Sequence, residues 1–139
     1  MPKSKSKSKS KSKSKKEFIN FFVDIPIYGT GIRFVVSNDL KRVEKLVDKR
    51  YGPGAFNGDD AVDTRAASTF RPNKEWVGLV WLRNKPKTVR EVGILAHEIF
   101  HAVNHILVER GIELTMDGEA YAYAIEYVTD KAGQKLLIS

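Results

Sequence analysis

Hydrophobic residues recur at two different spacings along the chain, and each spacing predicts a type of secondary structure. Residues 17–28 are rich in β-branched and aromatic side chains, and residues 32–37 have the same character after the Gly-Thr-Gly sequence at 29–31. Two such segments on either side of a glycine-containing turn are typical of a β-hairpin. Residues 65–71 predict a weak strand and residues 75–83 a strong one, because the second segment is apolar almost throughout.

Three other segments have hydrophobic residues at the three- and four-residue intervals of an amphipathic helix. They are residues 38–52, 88–110 and 118–133, with a predicted loop at 53–64. Gly52 and Gly111 mark the ends of the first two helices. The second helix opens with a capping box, in which Glu91 follows Thr88 by three residues, and Asp117 can cap the third helix. A hairpin, two further strands and three helices, with no internal repeat, predict an α+β domain.

The length and composition of the chain restrict its class. With 139 residues, it has room for one domain with a modest core. No apolar run approaches the roughly 18–20 residues that cross a bilayer, and we expect no signal peptide before residue 17. The chain has no cysteine, which excludes disulfides and thiolate metal ligands and is compatible with a reducing cytoplasm.

The net charge of +7 is concentrated at the N-terminus. Residues 1–16 alternate lysine with serine and contain eight lysines and no acidic residue, whereas residues 17–139 have 16 basic and 17 acidic residues. A Lys-Ser repeat has no apolar area to bury, so we expect residues 1–16 to be a disordered tail and residues 17–139 to form the domain. The tail either solubilises the protein or has no selected role, or its lysines hold the protein near nucleic acid or an anionic membrane surface.

All three histidines of the chain lie on the predicted helix 88–110, and the first two form the pattern His-Glu-x-x-His. His97 and His101 are four residues apart and share one face of a helix, so both imidazoles can bind one metal ion. Zn²⁺ prefers such nitrogen ligands and lowers the pKa of a bound water molecule. Glu98 lies about 100° around the helix from His97 and can act as general base.

Two interpretations of the histidines remain open at this point. Either the first two bind a metal ion, or the segment is an ordinary helix whose histidines are only hydrogen-bonded. His105 lies eight residues beyond His97, about 12 Å further along the helix axis, so we do not expect it to bind the same ion. We predict that it is a surface residue or a support for the ligands.

A catalytic zinc site usually has three protein ligands, and without cysteine or another histidine the next candidate is a carboxylate. The last helix offers Glu119 and Glu126, which are seven residues apart and therefore share a face with Ala122 and Tyr123. A tight hairpin of the last two helices would bring Glu126 level with the second histidine. An extended connection at 111–116 would instead bring Glu119 there.

The sequences HEIFH at 97–101 and GEAYAY at 118–123 resemble those of gluzincin metallopeptidases. In that group, a glutamate on the helix after the motif helix completes the zinc site. The size and layout of residues 75–130 are also similar to the small zincins of phage and bacterial genomes, including the ImmA/IrrE-like and SprT-like groups. The resemblance implies a zincin-like single domain, in which a small, mostly antiparallel sheet packs on the motif helix and on a following C-terminal helix.

For individual residues, the resemblance implies that His97, His101 and Glu119 bind Zn²⁺ and that Glu98 is the general base. It implies a zinc-dependent peptidase that acts on a protein or peptide substrate in the cytoplasm of a bacterium or a phage-infected cell. Two alternatives remain: a catalytically silent zincin-fold binding module, and a nucleic-acid-associated accessory protein tethered by residues 3–16.

Two parts of a peptidase site are left without an assignment. A residue that stabilises the oxyanion is required, and the candidates are Tyr121, Tyr123, Tyr127 and His105. Segment 76–82 either forms the sheet edge to which an extended substrate adds, or is an interior strand, because it is apolar on both faces.

Overall fold

The computed structural model describes residues 17–54, 56, 67–70 and 78–137, and for residues 67–70 it describes the backbone alone. The predicted tail at 1–16 and most of the predicted loop at 53–64 lie outside these residues, as do the ends of the third predicted strand and the start of the fourth. In the described part, no helix has both the length and the hydropathy of a transmembrane segment.

Four strands form one mixed sheet. They are β1 (Ile19–Ile25), β2 (Thr30–Val36), β3 (Ala67–Phe70) and β4 (Gly78–Leu82). The order across the sheet is β1-β2-β4-β3. Strands β2 and β4 are parallel, whereas β1 with β2 and β3 with β4 are antiparallel. The prediction of a small, mostly antiparallel sheet is therefore confirmed.

The predicted hairpin is confirmed, but its turn lies earlier than the Gly-Thr-Gly sequence indicates. Pro26–Tyr28 form a 3₁₀ turn, Gly29 closes it with a φ of 65°, and Thr30 and Gly31 already belong to β2. Proline presets the φ that a 3₁₀ turn requires, and glycine takes a positive φ without steric strain. The two strands consequently meet at the pair formed by Ile25 and Thr30.

The three predicted helices are confirmed, with small shifts at their ends. They are α1 (Leu40–Tyr51), α2 (Val89–Glu109) and α3 (Gly118–Leu136). The capping box of α2 forms as expected: the Thr88 hydroxyl accepts a hydrogen bond from the Glu91 amide, and the Glu91 carboxylate accepts one from the Thr88 amide. Helix α3 continues past Gly133 because Gly133 and Leu136 are both buried, so packing overrides the glycine signal.

The sheet separates two hydrophobic clusters. On one side, α1 packs on Val35, Leu79 and Trp81. On the other side, α2 and α3 pack on a set that includes Phe34 and Val80. Strand β4 contributes to both clusters, which explains its continuous apolar sequence. The α+β prediction is confirmed, and α1 adds a third layer to the predicted arrangement of a sheet on α2 and α3.

Helix α2 is held against the rest of the domain at two points. Near its middle, Ala102 faces Gly78 of β4, and a Cβ at Gly78 would lie only 3.3 Å from the Ala102 Cβ. At its C-terminal end, the Arg110 guanidinium donates hydrogen bonds of 2.6 and 3.1 Å to the Tyr28 carbonyl. The first contact sets how closely the helix approaches the sheet, and the second ties it to the 3₁₀ turn.

Two glycine-to-alanine changes should have opposite effects on stability. A Cβ at Gly31 would overlap the Val23 carbonyl oxygen and the Phe22 ring, so Gly31→Ala should lower the free energy of unfolding by about 1–3 kcal/mol. A Cβ at Gly93, inside α2, meets no atom within 4 Å. Gly93→Ala should therefore raise the free energy of unfolding by up to about 1 kcal/mol, because alanine has a higher helix propensity than glycine. Urea unfolding of both variants measures these changes, and an unchanged midpoint for Gly31→Ala would contradict the packing described here.

Candidate metal-binding site on helix α2

The buried side of α2 determines where its histidines point. Its buried apolar residues are Leu95, Ile99, Ala102, Val103, Ile106 and Leu107. His97 is two residues from Leu95 and two from Ile99, which is about 200° around a helix in either direction. His101 has the same relation to Ile99 and Val103. Both histidines are therefore on the outer side of α2, where they are exposed to solvent.

The two imidazoles converge on each other. The Nε2 atoms of His97 and His101 are 3.1 Å apart, and the rings meet edge to face with centroids 4.6 Å apart. Two nitrogens bound to one tetrahedral zinc ion at about 2.0–2.1 Å are about 3.3–3.4 Å apart. The observed separation is that of a hydrogen bond between the two rings, and it is also only a few tenths of an ångström below the zinc-bound value, so it is compatible with both interpretations of the histidines.

Glu98 lies between the histidine pair and the core. It is 8% exposed, and it is the only charged residue among the buried residues of the described part of the chain. Burial of a carboxylate is costly unless it has polar partners, and Glu98 is not without a partner. It lies on the same helical turn as the two imidazoles, and its role as general base stays a prediction.

The apolar side of α3 determines where its two glutamates point. The residues that α3 buries are Tyr121, Ala124, Val128, Ala132, Gly133 and Leu136. Glu119 precedes Tyr121 by two residues, and Glu126 is two residues from both Ala124 and Val128, so each glutamate points away from the core. Both are exposed, as are Ala122 and Tyr123, and the predicted common face is confirmed.

The residue of α3 that faces α2 is Tyr121, and not one of the two glutamates that were candidates for the third metal ligand. Its ring centroid is 6.4 Å from that of Phe100, and its hydroxyl lies 2.9 Å from the Ile112 carbonyl and 3.0 Å from the Asn104 amide oxygen. A hydroxyl has one proton and cannot donate to two acceptors at once. The Ile112 carbonyl is the nearer acceptor, and the Asn104 amide oxygen is the alternative acceptor.

The structure brings together two of the three predicted metal ligands. Within residues 17–54, 56, 67–70 and 78–137, no group of three or more histidine, aspartate or glutamate side chains is close enough to hold an ion. Glu119, in the first turn of α3 after the capping residue Asp117, does not join the histidine pair in this conformation. Its role as third ligand stays a prediction, as does that of Glu126. His105 is half-buried and also does not join the pair.

The sheet topology decides the open question about segment 76–82. Strand β4 pairs with β2 on one side and with β3 on the other, and its five residues are buried. It is therefore an interior strand and cannot accept an added substrate strand. The edges of the sheet are β1 and β3, and β3 is an edge strand that contacts α2.

The described residues include one large groove that the sequence did not predict. It has a volume of about 1220 Å³ and lies between the 3₁₀ turn and α3, and we call it the α3 groove. Tyr123, Tyr127, Glu126 and Asp130 line it together with Ile25–Tyr28. The sequence does contain a pattern that relates to the groove: two tyrosines and two acids, each pair four residues apart on α3. This pattern indicates a surface of α3 only when the buried side of the helix is known.

Comparison with protein-family models, curated proteins and solved structures returned no match for the chain. The resemblance to zincins therefore depends on the residues of α2 and α3 themselves.

Tyr121→Phe should lower stability in a pH-dependent way. Burial, and to a smaller degree the Glu113 carboxylate, raise the pKa of the Tyr121 hydroxyl above its ordinary value of 10.0. The fold therefore favours the neutral phenol, and this contribution is complete below pH 10 and is lost as the pH rises through the raised pKa. At pH 8 the variant should be about 1–2 kcal/mol less stable because the Ile112 carbonyl loses its donor.

Urea unfolding at pH 8 and pH 11 tests this expectation. The stability difference between the parent and Tyr121→Phe should be smaller at pH 11 than at pH 8. Tyr123→Phe, which changes an exposed residue, should have nearly the stability of the parent at both pH values. The same stability difference between the parent and Tyr121→Phe at both pH values would contradict the role assigned to the hydroxyl.

Proposed function

We propose that the domain binds a divalent metal ion, with Zn²⁺ preferred, and that it hydrolyses peptide bonds. The observation that carries the proposal is the 3.1 Å separation of the His97 and His101 Nε2 atoms on an exposed turn of α2. Glu98 on the same turn supplies a carboxylate for proton transfer. Two imidazoles and a carboxylate also suit iron or manganese, but the His-Glu-x-x-His pattern on a helix favours zinc.

The roles of the chain's own residues follow from their chemistry. His97 and His101 would hold the ion through Nε2 in the neutral form of each ring. A bound zinc ion would act as a Lewis acid on the carbonyl and lower the pKa of a water molecule. The Glu98 carboxylate would take a proton from that water molecule and deliver it to the nitrogen of the leaving amine. An extended substrate would add at a free sheet edge, for which β3 is the better candidate because it contacts α2.

The third ligand is the part of the proposal that relies on family resemblance. We propose Glu119 before Glu126, because the zincin arrangement uses a glutamate early in the helix that follows the motif. Both side chains are exposed in the described conformation, so either requires α3 or its own rotamer to move towards α2. The oxyanion residue stays unassigned: Tyr121 is engaged through its hydroxyl, and Tyr123 and Tyr127 line the α3 groove.

A catalytically silent metal-binding module is the second candidate function. It is favoured by the finding that, among the described residues, only two potential ligands lie together. The role of a nucleic-acid-associated accessory protein is compatible with both candidates, because the positive charge is concentrated in residues 1–16 and the rest of the chain is nearly neutral.

The metal content of the purified chain tests the site itself. The parent should contain zinc in an amount equimolar with the chain, and His101→Ala should lose it because a single imidazole remains. His105→Ala is the matched control and should retain the metal. Elemental analysis of these proteins, together with Glu119→Ala and Glu126→Ala, also identifies the third ligand as the glutamate whose removal lowers the zinc content. A parent that takes up no zinc even when zinc is supplied would refute the metal site.

The activity of Glu98→Gln separates the enzyme from the silent module. The amide has nearly the shape of the carboxylate but cannot accept the proton, so peptide hydrolysis should fall by at least about 10²-fold while zinc content is unchanged. Glu44→Gln, which changes an exposed acid on α1, is the control and should retain activity. Hydrolysis absent from both the parent and the variant, with zinc bound in each, would favour the silent module.

A further inference from the structure

The α3 groove is an apolar channel with acids on one wall. One wall is Ile25–Tyr28, which includes the highly exposed side chain of Ile27 at 82%. The other wall is α3, where Tyr123 and Tyr127 lie one turn apart and Glu126 and Asp130 lie one turn apart. An exposed apolar surface of this kind beside fixed charges is typical of a binding surface.

The charge of the segment that forms the α3 wall of the groove is negative. Residues 111–130 contain five acidic residues and no lysine or arginine. Three of the acids, Glu119, Glu126 and Asp130, are exposed on α3. Two cations border the groove: the Arg110 guanidinium, which donates to the Tyr28 carbonyl, and Lys131, whose ammonium lies 5.6 Å from the centre of the Tyr127 ring. That contact shows that a tyrosine of this wall already accepts a lysine in the geometry of a cation–π interaction.

The segment of opposite charge is part of the same chain. Residues 1–16 carry eight lysines and no acid, and they lead directly into β1. In an extended segment that alternates lysine with serine, all the lysines project from one side, about 6.6–6.8 Å apart. Glu126 and Asp130 are separated by about 6 Å along the helix axis. Successive lysines therefore match successive carboxylates, and their aliphatic stems can cover the tyrosine rings.

The tail is long enough to reach the groove. Lys135, near the end of α3, has its ammonium 5.9 Å from the centre of the Phe21 ring, so the last turns of α3 lie beside the first half of β1. From there, Asp130 is about 7.5 Å back along α3, and Glu17 is at most about 14 Å back along β1. Sixteen extended residues span roughly 50 Å. Because the tail is tethered, its effective concentration at the groove is high even if each contact is weak.

We propose that the α3 groove binds the chain's own Lys-Ser segment, residues 3–16, through its tyrosines and through Glu126 and Asp130. The proposal goes beyond the proposed function and does not require a bound metal ion; of the candidate metal ligands it uses only Glu126, the second choice for the third ligand. Binding of this kind is electrostatic and solvent-exposed, so it weakens as ionic strength rises. It also competes with any polyanion for the same lysines.

Paramagnetic relaxation enhancement in the full-length protein tests the proposal. The chain contains no cysteine, so Ser8→Cys provides a single site for a nitroxide label. The label should cause loss of amide signal at residues 25, 27, 28 and 123–130, and the signal should return at high salt. Mixing the labelled protein with unlabelled, isotope-enriched protein should cause no such loss, because the contact is within one chain.

Two matched double variants test whether the acids of the groove cause the tail to bind there. Glu126→Gln with Asp130→Asn should restore the amide signals of the groove. Asp24→Asn with Glu44→Gln removes the same charge from exposed positions on the side of the sheet that α1 covers, and it should leave the signal loss unchanged. Signal loss that is absent, that is centred on another surface, that occurs only between chains, or that survives neutralisation of the two groove acids would overturn the proposal.

Discussion

The close contact between α2 and β4 is the constraint on which the rest of the structure depends. Gly78 offers no side chain and Ala102 offers only a methyl group, so the helix lies directly on the middle of the sheet. This contact fixes which side of α2 is buried, and therefore which side carries the two exposed histidines. The Arg110 contact with the Tyr28 carbonyl then prevents the C-terminal end of the helix from moving away. Helix α3 packs on the surface that results.

Local features of the sequence were sufficient for most of the secondary structure and for half of the site. The capping box at Thr88 and Glu91, and the four-residue interval of His97 and His101, depend on backbone geometry within one helix, so both were predictable. For β4 the sequence left an edge and an interior position open, and the interior position follows only when α1 is known to cover the second face of the sheet. The rotation of α3 about its own axis was also not predictable. It depends on where Tyr121 finds hydrogen-bonding partners in the preceding loop and on α2.

Helix α3 separates two kinds of surface on this small domain. Its buried side supports α2 through Tyr121, Ala124 and Val128. Its outer side carries acids that have no role in the core, and it borders the groove at the 3₁₀ turn. Because Arg110 ties the same turn to the end of α2, a ligand in the groove would contact a segment that is directly bonded to the helix of the histidine pair. The two surfaces are thus physically connected through Arg110 and the 3₁₀ turn.

The exposure of the histidine pair has a practical consequence for handling the protein. Imidazole is also a good ligand for nickel and copper ions, and two imidazoles lie one turn apart on a solvent-accessible helix. The untagged protein should consequently be retained on an immobilised-nickel column, and a fused polyhistidine tag would compete with His97 and His101 for the same ions. The metal found in a preparation would then reflect the resin and buffers as much as the cell, so ion exchange is the appropriate route of purification.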